Sequence, residues 1–249
     1  MALSTAGRLA SVLIATLVGV AATANLGAWQ LRRAAQKIAL ETALDARAVL
    51  PVIVTTDLAT SAALAEPQRY RPVRLRGRWV ADQTVFLDNR QMDSRVGFYV
   101  VTPLRLHGRS DAVLVQRGWV PRDLLDRTLL PAVPTPDGEV EVTGVIAPPP
   151  SRLYEFAAAA SGPIRQNLDP PGFAVESGLT LVPLSVQQRD SPATRGDGLV
   201  RRWSRPAVDV QKHYGYAFQW FALCALMTGL YVWFQLVRPR LRHRHRAQP

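Results

Sequence analysis

The sequence predicts an α+β protein in which two transmembrane helices flank a mostly antiparallel β domain with short helices. Three observations predict it. Two uncharged apolar runs stand near the ends of the 249-residue chain. A period-two alternation of apolar and polar residues sets in from residue 70. Most of the Pro, Asp and Glu lie between the two runs. Whole-chain averages, with 48% hydrophobic residues and a mean hydropathy near zero, conceal this partition. The expected organisation is residues 1–8 as a short cytoplasmic terminus, 9–29 as the first span, 30–213 as the outer domain, 214–237 as the second span and 238–249 as a basic tail.

Residues 9–29, LASVLIATLVGVAATANLGAW, hold no charge. At about 1.5 Å per residue they cover a hydrocarbon core of about 30 Å. The apolar core is long for a signal peptide, and the following Asn-Leu-Gly-Ala-Trp-Gln lacks a small-x-small cleavage site, so an uncleaved anchor is expected. Gly19, Thr23 and Gly27 recur every four residues and would let another helix approach closely, with Asn25 placed to hydrogen-bond across. LRRAAQKIALETALDARAVL then reads as a helix leading away from the membrane.

In PVRLRGRWV, residues Val73, Leu75, Gly77 and Trp79 alternate with Arg74, Arg76 and Arg78, the pattern of a strand with one buried face. Further strands are expected in QTVFLDN, GFYVVTPLRL, AVLVQRGWVP, EVEVTGVI, LTLVPLSVQQ and GLVRRW. LHGRSDA suits a hairpin connection, with His107 a solvated loop residue. The Pro-bounded stretch 148–172 reads as an insertion with a short helix lying over the sheet. Strands in a row with helices at the margins indicate the α+β class.

Residues 214–237, YGYAFQWFALCALMTGLYVWFQLV, are apolar on every face and carry aromatic residues at both ends, as a span with interfacial belts does. Ala225 and Gly229 give this run its own small-residue strip. The tail RPRLRHRHR concentrates five Arg within nine residues. Such a cluster stays cytoplasmic, so both termini are expected inside and residues 30–213 outside, in the periplasm of a bacterium, with the chain multi-pass in the cell inner membrane.

The formal net charge of +11 comes from basic residues scattered on strands or gathered in the tail, with no nucleic-acid motif. Anionic lipid headgroups are the expected partner of that charge, not nucleic acid. The one cysteine, Cys224, lies in the second span, so the outer domain has no disulfide to form and no thiolate pair for copper. Hydrolytic catalysis needs a nucleophile beside a base. Only His107 and His213 are available outside the tail, neither beside a nucleophile elbow, and Asp82 and Asp88 are ordinary strand-edge carboxylates. The chain is therefore not expected to be an enzyme.

One position stands out. In KHYGYAFQWF a histidine opens the second apolar run, and Tyr216, Ala217, Trp220 and Cys224 follow it on one helical face. The stripe suits an interfacial polar residue above an aromatic belt. It equally suits an imidazole offered to a haem iron between flat apolar neighbours.

Several fragments together resemble the Surfeit-locus, Shy-type assembly factors of cytochrome c oxidase. LGAWQLRR contributes Gly27, Trp29, Gln30 and Arg33. YRPVRLRG, GFYVVTPL and VQRGWVPR follow in the family's order, and KHYGYAFQW places His213, Tyr216 and Trp220 where the family has them. Lys212 and Gly215 depart from the family's usual Asn and Gln. The resemblance implies a non-catalytic factor that binds haem a and assists its insertion or stabilisation in oxidase subunit I, with haem a synthase as a further partner. It also implies His213 as the iron ligand, flanked by Tyr216 and Trp220. Arg32, Arg33, Lys212 and Arg205 are the cations expected to meet the propionates. An assembly scaffold with no haem of its own and a membrane-anchored enzyme stay open beside it.

Overall fold

The computed structural model describes residues 5–123, 125–126, 129–150, 152–153, 162–203 and 210–241. The elements, in chain order, are α1 (Thr5–Ala48), β1 (Ile53–Val54), α2 (Ala62–Ala65), β2 (Pro72–Trp79), β3 (Val85–Met92), β4 (Arg95–Leu106), β5 (Ala112–Pro121), β6 (Glu139–Ala147), β7 (Ile164–Arg165), α3 (Pro170–Ser177), β8 (Leu181–Gln188) and α4 (Val210–Tyr231). A π-helical stretch, Val232–Val237, continues α4. Two compact units result, one holding the sheet within Leu44–Ser204 and the other holding the two long helices.

The alternation read from residue 70 is the pleat of β2. Val73, Leu75 and Gly77 are buried, while Arg74, Arg76 and Arg78 face solvent. Opposite them on β6, Glu141 pairs with Arg76 and Glu139 with Arg78 in the antiparallel register, and the Glu141 carboxylate accepts the Arg76 Nε–H at 3.4 Å. The inward side chains join Val113 and Val115 of β5, Val142 and Ile146 of β6, and Leu184 and Val186 of β8 in one apolar interior. Trp79, expected inward, stands half-buried at the strand's end and packs on that interior from its rim.

The sheet runs β1-β2-β6-β8-β5-β4-β3-β7, and a further pairing of β2 with β4 joins its ends. Strands β2, β6, β8, β5 and β4 thus form a closed ring, with β1 and the β3–β7 pair extending outward. Closure brings Gly77 opposite Leu106, so close that a Cβ at Gly77 would lie 2.2 Å from the Arg105 carbonyl oxygen. Only glycine permits that approach.

The sheet is mixed, and five of the eight pairings among the described strands are antiparallel. β1–β2, β3–β7 and β5–β8 are parallel and the remaining pairings antiparallel. The parallel β5–β8 contact is part of the ring; β5 is buried along nearly its whole length, whereas β8 has Pro183 exposed. GLVRRW is not a strand; it meets β5 by a single bridge, Trp119 to Val200. The stretch 148–172 contributes β7 as well as the start of α3, while the short helix expected at its centre lies outside the described residues. Helix α3 is set by its ends, with Asp169 as N-cap accepting from Gly172 N at 3.0 Å, Pro170 at the first position and Gly178 at φ +66° beyond the last turn. The β4–β5 hairpin falls where LHGRSDA predicted, with His107 exposed and hydrogen-bonded to Glu139 at 2.9 Å.

In the other unit, the first apolar run and the helix expected after it are one uninterrupted α1. Ala6–Ala48 and Val210–Leu241 are long and apolar enough to cross a membrane. Their large apolar side chains, among them Ile14, Val18, Phe218 and Trp233, point outward as lipid-facing residues do.

The buried face of β2 yields a prediction. Leu75→Ala should destabilise the β domain by about 2–5 kcal/mol, whereas exposed Arg76→Ala should change it by about 0.5 kcal/mol or less. Gly77→Ala should be as damaging as Leu75→Ala, because it parts β2 from β4. Urea midpoints of the detergent-solubilised full chain, followed by near-UV circular dichroism, check all three.

Candidate functional site

The candidate site lies where α1 and α4 face each other. A single stripe on each helix makes the contact: Gly19, Thr23, Gly27, Gln30 and Ala34 on α1, and His213, Ala217, Phe221, Cys224 and Met227 on α4. Both stripes repeat every three to four residues, so each stays on one side of its helix. Thr23, Ala34 and Ala217 are buried there.

Two glycines set the separation. A Cβ on Gly27 would lie 2.8 Å from the Phe221 ring, and one on Gly19 would lie 3.1 Å from Met227 Sδ. Cys224 directs its thiol at the Val20 carbonyl at 3.8 Å. The small-residue strip expected on α1 is therefore the contact surface. The one expected on α4 is not: nothing lies near a Cβ built on Gly229. Asn25 does not bridge the helices either, since its Nδ2 donates to Ala21 O of its own helix at 3.1 Å.

The close approach delivers His213 to Gln30. The His213 Nδ1 to Gln30 Oε1 distance is 2.7 Å. A carboxamide oxygen only accepts, so Nδ1 carries the proton and donates it. The neutral ring then holds its lone pair at Nε2, the nitrogen available to a metal or a proton. An imidazole fixed through one nitrogen presents the other in one direction.

Trp220, about two turns down α4 from His213, is half-buried, and Tyr216 is 52% exposed. Arg32, Arg33 and Lys212 are exposed at the same end of the helix pair as His213, and Arg33 Nη1 donates to Gln36 Oε1 at 3.3 Å. Arg205 and the histidines of the tail lie outside the described residues. The structure thus joins His213 to Gln30, while Trp220 follows about two turns along α4 and Tyr216 is exposed. Gln30 is the residue that reading for imidazoles and cations misses. Its signal was its place in LGAWQLRR, four residues before Ala34 and three after Gly27 on the contact stripe.

One nitrogen donor, oriented through its far side at a helix end that also carries basic residues, is of the donor type that a haem iron accepts.

The profile of the SURF1 family matches residues 17–225. Among curated relatives, a SURF1-like protein of Drosophila melanogaster is 27% identical over 238 residues, covering 89% of this chain and 76% of that protein. A SURF1-like protein of Rickettsia bellii is 26% identical over 210 residues, covering 83% of each. The cytochrome oxidase assembly protein SHY1 of Saccharomyces cerevisiae is 27% identical over 135 residues, which are 51% of this chain and 33% of the yeast protein.

The helix contact is testable by compensation. Gly27→Ile should force the Phe221 ring aside and lower the temperature at which the detergent-solubilised chain loses its helix pairing, read by circular dichroism. Adding Phe221→Ala opens the space again, so the double variant should recover part of that loss. Additive damage would mean the two residues do not meet.

Proposed function

The chain belongs to the SURF1 family, and on that premise we propose that it acts in the assembly of cytochrome oxidase as a membrane-bound, non-catalytic factor that holds haem a for oxidase subunit I. The observation that carries the reading is the His213–Gln30 hydrogen bond. Held through Nδ1, the imidazole presents Nε2 in one direction, as a ligand must.

In this reading haem a is cargo, and its iron supplies an open coordination position for a neutral nitrogen. Gln30 holds the proton on Nδ1 and keeps the ring from turning. Trp220 offers a flat apolar face one to two turns below His213. Arg32, Arg33 and Lys212 stand at the end of the helix pair where propionates would reach solvent, and Arg suits a carboxylate by its bidentate fork. Tyr216, exposed on α4, flanks the cargo. Holding by a single protein nitrogen also suits a factor that must release what it carries. In the proposed orientation both termini are cytoplasmic and the β domain faces the periplasm, with the Arg-rich tail retained inside. Subunit I is the proposed recipient and haem a synthase the proposed donor.

A second reading, an assembly scaffold with no haem of its own, draws on the same bond. Gln30 satisfies the imidazole within the helix pair, as a polar residue near lipid requires.

Absorbance spectra of the chain purified from cells that make haem a separate the two. His213→Ala should abolish the co-purified haem a signal while leaving the protein inserted. Gln30→Leu should weaken and shift the signal, because the ring loses its orientation, and His107→Ala should leave it intact. A full, unshifted spectrum from His213→Ala supports the scaffold.

A further inference from the structure

The β domain contains a second site, built around an arginine of β5. Between β4 and β5 the register slips: Val100 pairs with Gly118 and Val101 with Gln116, so Arg117 is the extra residue of a β-bulge. A bulge turns its side chain out of the strand's alternation, and bulges recur beside binding sites. Arg117 is only 3% exposed. Its Nη1 donates to Thr135 Oγ1 at 2.7 Å and its Nη2 to the Pro134 carbonyl at 2.6 Å, and its guanidinium stacks on the Trp79 ring at 4.8 Å. All of these partners are neutral. Among the described residues no carboxylate lies within ion-pair distance of it, and its buried Nε has no acceptor. Burial pushes its pKa down to about 10, with Asp197 opposing the fall and Arg201 adding to it.

A cleft of about 390 Å³ opens at this arginine. Of its three carboxylates, Asp197 pairs with Arg201 and Glu141 with Arg74 and Arg76, while Glu139 hydrogen-bonds His107. Arg117 on the floor and exposed Arg195 on the rim form no ion pair among the described residues, so an anion is drawn to the floor at Arg117. Trp79, Pro134 and Pro136 give it apolar walls, and the buried Oε1 of Gln188, also in the lining, has no donor. A buried cation held only by neutral groups and a buried acceptor without a donor cost stability unless a ligand supplies what they lack.

We propose that this cleft binds a polypeptide segment through one acidic side chain, with the carboxylate on Arg117, a peptide N–H toward Gln188 and apolar neighbours against Trp79 and the two prolines. A carboxylate matches a planar guanidinium, one buried cation calls for one negative charge, and a peptide brings the donor that a simple anion lacks.

Calorimetric titration of the nanodisc-reconstituted full chain tests it, with protein-free discs subtracted. The probes are a blocked peptide with one glutamate among leucines and prolines, its glutamine counterpart, and benzoate. The glutamate peptide should bind about tenfold more tightly than the glutamine peptide, and more tightly than benzoate. Arg117→Gln should erase the preference. Arg195→Glu, on the exposed rim where folding is not at stake, should erase or reverse it. Equal binding of the two peptides, or a preference retained in every folded variant, overturns the site. Benzoate binding as tightly as the glutamate peptide overturns the polypeptide assignment in favour of a small carboxylate.

Discussion

Both units of this protein rest on the same constraint: two backbones must come closer than a side chain allows. At Gly77 the constraint closes the ring of strands, and at Gly27 it brings α1 against the Phe221 face of α4. Everything of chemical interest depends on these approaches. The dry interior of Leu75, Val115, Val142 and Ile146 exists because the ring is closed. The His213–Gln30 bond exists because the helices lie within reach of two short polar side chains. A glycine in a strand or helix interior is locally destabilising by about 0.5–1 kcal/mol relative to alanine, and the contacts it admits offset that cost.

The two candidate sites answer the problem of a buried polar group in opposite ways. His213 is satisfied by one neutral acceptor, which leaves its other nitrogen chemically defined. Arg117 is surrounded by neutral oxygens and an indole that hold it in place without neutralising it. The first arrangement suits a ligand atom that must be uncharged, and the second suits a charge waiting for its counterpart. Neither resembles the paired residues of hydrolytic catalysis.

The residues made a good part of this legible. Alternation around Val73 and Leu75 located β2 and its buried face, and uncharged length located both long helices, because period and hydropathy are properties of neighbouring residues. Closure of the ring was not legible, since the approach of Gly77 to Arg105 depends on a strand almost thirty residues away. The parallel β5–β8 pairing and the bulge at Arg117 were hidden for the same reason: a fully buried strand shows no alternation from which a slip could be read. GLVRRW has strand-like composition but only one bridge to hold it. At the helix pair, the imidazole announced itself, whereas Gln30 gained meaning only once a facing helix supplied its partner.

The order of strands around the ring bears on how the protein is made. β8 lies between β5 and β6, so the last strand synthesised is the one that completes the circle. Until Gln188 has left the ribosome, β5 and β6 expose unpaired edges, and the apolar residues they share face no partner. Long-range pairings of this kind fold slowly and leave edges open to the wrong chain. The nascent β domain therefore spends most of its synthesis as an open sheet that closes only when β8 arrives.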